Sequence, residues 1–111
     1  MDCIFCAIAA KKMKAKVVGE TDLLVVIEDI NPQAPKHLLV IPKEHYETML
    51  DCTDTALFAE MLEAAKDAAR HAGIAENGFR TVINTNNDGG QTVFHLHMHV
   101  IGGRPLSGKM G

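Results

Sequence analysis

The longest periodic pattern in the chain lies near its middle. From about Asp54 to His71 the apolar residues Leu57, Phe58, Met61, Leu62, Ala65 and Ala69, followed by Ala72, recur at helical spacing and predict one amphipathic helix. Thr53 or Asp51 is placed to cap its start. Arg70 and His71 suit its last turn as partners of the helix dipole, and Gly73 suits its stop. Before this helix the pattern is that of strands. Val17–Glu20 and Leu23–Glu28 are β-rich runs split by Glu20-Thr21-Asp22, which reads as a hairpin. "DINPQAPKH" carries two prolines and reads as a loop, and His37–Ile41 is a strand closed by Pro42. After the helix, Phe79–Asn84 and Val93–Ile101 read as strands joined by the turn-rich "NTNNDGG". Residues 2–10 read as a short helical turn with Asp2 as its N-cap. The order predicts an α+β domain over residues 1–111, with an antiparallel sheet covered on one face by the long helix.

Composition narrows the function classes. With 47% apolar and 23% charged residues, the chain has ordinary globular composition, and its net charge of −3 contains no long run of one sign. Lys11, Lys12, Lys14 and Lys16 form its one basic cluster, which reads as a solvated turn. One Tyr and no Trp argue against a nucleic-acid surface. No apolar run is long enough to span a bilayer, and the N-terminal "MDCIFCAIAAKK" has an acidic residue where a secretion signal carries positive charge. A cytoplasmic protein is expected. Three cysteines are too few, and odd in number, for a disulfide framework. Cys52 reads as a small buried apolar residue. Cys3 and Cys6 form a Cys-x-x-Cys, open to metal binding, to free thiols or to redox chemistry.

The chemistry concentrates in "HLHMHV", residues 95–100. Side chains alternate between the two faces of a strand, so Leu96, Met98 and Val100 face one way, toward the helix. His95, His97 and His99 then share the other face, spaced by roughly 6.5–7 Å. Three imidazoles on one face fit a metal site or covalent catalysis with one ring as nucleophile, and spacing alone leaves both open. Just upstream stand Gly89, Gly90, Gln91 and Thr92. Glycines let backbone N–H groups approach an anion, and Gln91 and Thr92 add side-chain donors, so the loop reads as a phosphate cradle.

With these residues in view, the chain resembles the histidine triad (HIT) superfamily. "HLHMHVI" has the His-φ-His-φ-His-φ-φ pattern. "DINPQAPKHLLVIPKEH", "NGFRTVINTNNDGGQTVFH" and "GGRPL" are similar to the Hint branch, the purine nucleoside phosphoramidases, in a likeness running from Ile4 to Leu106. The resemblance implies a five-stranded antiparallel sheet and a homodimer with a continuous ten-stranded sheet. It implies hydrolysis of a purine nucleoside 5′-phosphoramidate, such as AMP-NH2 or an aminoacyl adenylate of the lysyl-AMP kind, through a nucleotidyl-histidine. Carried over by position, the catalytic residues are His95, His97, His99 and His37: His97 is the nucleophile, His99 contacts the phosphate or helps protonate the leaving amine, and His37 lies behind the triad in the same hydrogen-bonded group. Asn84, Gly90, Gln91, Thr92 and Val93 hold the phosphate and Asp29 the ribose hydroxyls. Ile4, Phe5, Ile8, Ile27 and Ile30 line the base pocket. The third histidine favours hydrolysis over nucleotidyl transfer. The "GGRPL" ending ranks a dinucleoside polyphosphate hydrolase second, and a nucleotide-binding scaffold dimer is the reading from another class. Some bacterial members use an N-terminal cysteine pair with two histidines for a structural zinc. The matching set is Cys3, Cys6, His45 and His95, with no metal required for the chemistry.

Overall fold

The structure is a computed structural model and describes residues 3–111. Its elements, in chain order, are α1 (Ile4–Ala9), β1 (Val17–Glu20), β2 (Leu24–Glu28), β3 (Lys36–Pro42), a 3-10 turn (Met49–Asp51), α2 (Thr55–His71), β4 (Phe79–Val82) and β5 (Met98–Gly102). The five strands form one sheet in the order β1-β2-β3-β5-β4, every neighbouring pair antiparallel. The α+β class, the five strands and the single long helix agree with the sequence reading.

Period-two alternation on β2 and β3 explains how the sheet acquires two covered faces. Leu24, Val26, Leu38 and Val40 point one way and pack with Met98 and Val100 against Leu57, Met61, Ala65, Ala68 and Ala69 of α2. Val25, Ile27, Leu39 and Ile41 point the other way and bury Phe5 and Ile8 of α1. The central strands are therefore apolar on both faces over Leu24–Ile27 and Leu38–Ile41, and the sequence expectation of one covered face was too simple. Leu62, assigned to the apolar helix face, is 49% exposed. Cys52 is buried in the α2-side core, as expected.

The element ends show what pattern alone did not decide. Asp2 lies outside the described residues, and the cap position of α1 belongs to Cys3, whose Sγ accepts from Cys6 N at 3.3 Å. The start of α2 is capped by Asp54, whose Oδ1 accepts from Ala56 N and Leu57 N, rather than by Thr53 or Asp51. Asp51 instead closes a reciprocal capping box with Thr48 on the 3-10 turn. Gly73 stops α2 with φ +76°, a conformation that costs glycine little.

The last strand begins at Met98, five residues later than the pattern predicted. Its ladder with β3 ends at the pair Val40–Met98. Two residues further along β3 stands Pro42, which has no N–H to give, and its carbonyl accepts the His95 ring Nε2–H at 2.7 Å. Leu96 N turns instead to Tyr46 O at 2.6 Å. Lacking that partner, β4 stops at Val82, and Ile83 and Asn84 leave the sheet. Residues 93–97 thus form the rim of the α1 side, where three of the chain's histidines meet its N-terminal turn. Among the described residues no helix is long and apolar enough to cross a membrane.

Candidate active site

Although the ladder begins late, the alternation of side chains persists. Leu96, Met98 and Val100 enter the α2-side core, and the three histidines stay on the α1 side. There they part company. His97 and His99 line a cavity of about 570 Å³, whereas His95 does not reach it. His95 is fully buried, its Nε2 bonded to Pro42 O and its Nδ1 turned toward Cys3, Cys6 and His45. Its carbonyl oxygen accepts from His97 Nδ1 at 2.6 Å.

That bond fixes the tautomer of His97. With the proton on Nδ1, Nε2 carries the free lone pair, and among the described residues Nε2 has no hydrogen-bond partner. A second chain of bonds fixes His99. Gln33 N donates to His37 Nδ1 at 3.0 Å, so the His37 proton sits on Nε2. That Nε2–H donates to His99 Nδ1 at 2.8 Å, with the Asp29 Oδ2 carboxylate oxygen 3.3 Å away as a further acceptor. His99 therefore keeps its own proton on Nε2. Burial holds His37 and His97 below the usual imidazole range, against the pull of the Asp29 carboxylate. Burial, reinforced by the neighbouring His97 and His37 rings, pushes His99 down to about 4. The site presents neutral rings: one bare nitrogen and one N–H donor, on rings 5.0 Å apart.

Most of the other residues singled out in the sequence line the remaining wall of the cavity. Ile4, Phe5, Ile8 and Ile27 supply apolar surface on one side. Asp29, Ile30, Asn84, Gly90, Thr92 and Val93 line the rest. Asp29 Oδ1 accepts from Asn31 N at 2.8 Å, which turns the chain at the rim. Gln91 is the exception. It is buried outside the cavity, its Nε2 donates to Glu47 O and Val93 O, and its Oε1 accepts from Asn86 N. Its backbone N–H is bonded to Asn86 O. With both sets of donors spent, Gln91 braces the loop instead of holding a phosphate. Sequence reasoning missed Gln33 and the Pro42 carbonyl because both act through backbone atoms. The only sequence signal was that Gln33 stands four residues before His37 in a proline-bounded loop.

The cradle loop leaves no spare room at Gly89. A Cβ there would press on the Thr85 carbonyl oxygen and stand 2.8 Å from Thr85 N. Gly89→Ala is expected to lower stability by about 2 kcal/mol, the usual cost of overpacking against backbone, measured as the urea unfolding midpoint. An unchanged midpoint would show that the turn yields.

Behind the cavity, Cys3, Cys6, His45 and His95 form a second constellation. Their ligand atoms all lie within 4.8 Å of one another. Cys3 Sγ is 3.3 Å and Cys6 Sγ 3.5 Å from His95 Nδ1, and Cys6 Sγ and His95 Nδ1 lie 3.3 and 3.1 Å from His45 Nδ1. The edges of a tetrahedron around zinc, from its usual bond lengths, are about 3.3 Å for N···N and about 3.5 Å for N···S. The set could hold a metal ion. Asp29, His37 and His99 also cluster. Their 2.8 Å N···N separation is that of a hydrogen bond, and both facing nitrogens are accounted for by it.

The HIT domain family model matches residues 10–106. This chain belongs to the HIT family. The HIT chain is 42% identical to the purine nucleoside phosphoramidase of Escherichia coli K12, over 93% of its own length and 88% of the relative. It is 45% identical to an uncharacterised HIT-like protein of Synechocystis, covering 99% of this chain and 97% of that one. Among solved structures, a HIT family hydrolase from Legionella pneumophila superposes with a TM-score of 0.95 at 44% identity, covering 99% of this HIT chain and all of the other.

Proposed function

We propose that this HIT protein hydrolyses the P–N bond of purine nucleoside 5′-phosphoramidates and releases the nucleoside monophosphate. The observation that carries the reading is the His97 ring: its Nδ1 proton is held by the His95 carbonyl, and its bare Nε2 belongs to a ring lining a nucleotide-sized cavity. The family relative named a purine nucleoside phosphoramidase supports the same chemistry.

In the first half-reaction, His97 Nε2 attacks the α-phosphorus and the P–N bond to the amine breaks. The departing nitrogen accepts a hydrogen bond from His99 Nε2–H and leaves as the free amine, taking up a proton from solvent. His97 becomes cationic as it bonds phosphorus. In the second half, water attacks phosphorus, the bond to His97 breaks and returns the neutral ring, and one of the water's protons passes to solvent. Little else is asked of the protein than position and charge. His37 holds His99 in the donating tautomer. Gly90, Thr92, Val93 and Asn84 surround the phosphate, Asp29 accepts from the ribose hydroxyls, and Ile4, Phe5, Ile8, Ile27 and Ile30 flank the base. Cys3, Cys6, His45 and His95 would hold a zinc ion, and four protein ligands leave it a structural role. A homodimer belongs to the same reading, since β4 lies at the sheet edge where a second copy's β4 could extend the ladder.

Intact-mass measurement after rapid mixing with adenosine 5′-phosphoramidate, alongside chromatography of released AMP, tests the reading. A transient adduct of one AMP with release of AMP is expected. Turnover of dinucleoside polyphosphates in place of the phosphoramidate would favour the second-ranked hydrolase, and binding without turnover the scaffold.

Neutral histidines also set a pH dependence. His99 protonates in the unfolded chain near 6.5 but in the folded one only at about 4. Its folded pKa is depressed, so the unfolded state binds more protons as pH falls, and stability declines with falling pH. Between pH 7 and 5 wild type is expected to lose about 1 kcal/mol more than His99→Asn, the full shift being discounted because the ring keeps some contact with water. Urea titrations at the two pH values make the comparison. Parallel losses in both proteins would mean that His99 does not stay neutral.

A further inference from the structure

The two constellations meet on α1. This helix has six residues, too few to persist unaided. It starts at Cys3, whose sulfur caps it by accepting from Cys6 N, so both cysteines of the metal set belong to its first turn. Between them stands Phe5, 7% exposed. Its ring meets the His97 ring edge-on, with centroids 5.0 Å apart and planes at 77°. It meets His95 in the same way at 5.9 Å and 82°. The same turn of helix gives the cavity Ile4, Phe5 and Ile8. One short element therefore carries half the metal set and the apolar wall, and it touches the ring with the bare nitrogen.

We propose that Phe5 is a positioning residue for the His97 ring and the base wall, held in place by the metal set, so that nucleotide affinity and metal retention are coupled through α1. The proposal rests on the nucleotide reading of the cavity and the zinc reading of the Cys/His set. When the metal leaves, the His45 and His95 nitrogens, 3.1 Å apart, lose the cation between them and α1 loses its tie to the segment after β3 and to the segment before β5. A base that must pack on Ile4, Phe5 and Ile8 then has to order the helix as it binds. Linkage is reciprocal: whatever factor the metal adds to nucleotide affinity, the nucleotide adds to metal affinity.

Calorimetric titration of AMP into zinc-loaded and chelator-stripped protein measures one side. Competition for zinc with a chromogenic chelator, with and without saturating AMP, measures the other. Stripping is expected to weaken AMP about tenfold, and saturating AMP to strengthen zinc binding by the same factor. Phe5→Ala keeps all four ligands. It is expected to hold one zinc per chain with an affinity indifferent to AMP, and Phe5→Leu to restore part of the linkage. Protein that holds zinc and binds AMP, with each affinity indifferent to the other ligand, overturns the coupling alone. Protein that takes up no zinc overturns the metal assignment and the coupling together, and protein that binds no AMP in either form overturns the nucleotide reading and the coupling.

Discussion

Replacing His97 with alanine is expected to lower kcat/KM for adenosine 5′-phosphoramidate by on the order of 10⁴–10⁶-fold, the scale on which covalent catalysts lose their nucleophile. The AMP adduct should vanish with it. The affinity for AMP should change little, because the cavity wall is shared among α1, the loop before β3 and the loop before β5. His99→Ala should cost less, roughly 10²–10⁴-fold, as removal of a donor to the reacting atoms does. It should also leave the adduct detectable, because His97 Nε2 is untouched. The order of the two losses is the informative result. If His99→Ala removed the adduct and His97→Ala did not, the tautomers assigned from the His95 carbonyl and the His37 ring would be reversed. If neither variant lost turnover, the chemistry would lie outside this cavity. Both rings have buried surroundings, so the unfolding midpoint of each variant is needed beside its kinetics.

What the sequence revealed followed from local periodicity. Runs of β-prone residues bounded by turn signals located β2 and β3, and two-residue alternation placed the three histidines on the face away from Leu96, Met98 and Val100 even though the ladder starts only at Met98. It did not show that His95 separates from its neighbours, because that depends on Pro42, 53 positions away, offering a carbonyl with no N–H beside it. Gln91 was misassigned for a related reason. A glutamine beside a glycine-rich loop serves equally to bind an anion or to brace the loop, and only the positions of Glu47 and Asn86 decide. The tautomers of His37 and His99 rest on one backbone N–H, that of Gln33, which no side-chain pattern encodes. The metal set was legible through family resemblance alone. Cys6 and His45 are 39 positions apart, and Cys3 and His95 are 92 apart.

Removal of metal is the second large effect expected. Protein purified without chelator should carry one zinc per chain, and stripping it should lower the melting temperature by at least about 15 °C. The size follows from linkage: a ligand at a thousand times its dissociation constant stabilises the folded state by about 4 kcal/mol. In a domain of this size each kcal/mol moves the transition by roughly 4 °C or more. The effect should be smaller than the collapse of a zinc finger, because the α2-side core of Leu57, Met61, Val40 and Val100 does not involve the metal set. Loss should concentrate where the ligands converge: α1, the segment after β3 that carries His45, and residues 93–97. Hydrogen exchange resolves this, with protection falling at Ala7, Ala10 and Leu96 while the amides of α2 keep theirs. Cys3→Ser with Cys6→Ser should reproduce the stripped state and gain nothing from added zinc. A melting temperature indifferent to both chelator and substitution would mean that thiol–imidazole hydrogen bonds alone hold the N-terminal turn, and the four converging ligand atoms would then be a packing arrangement without a cation.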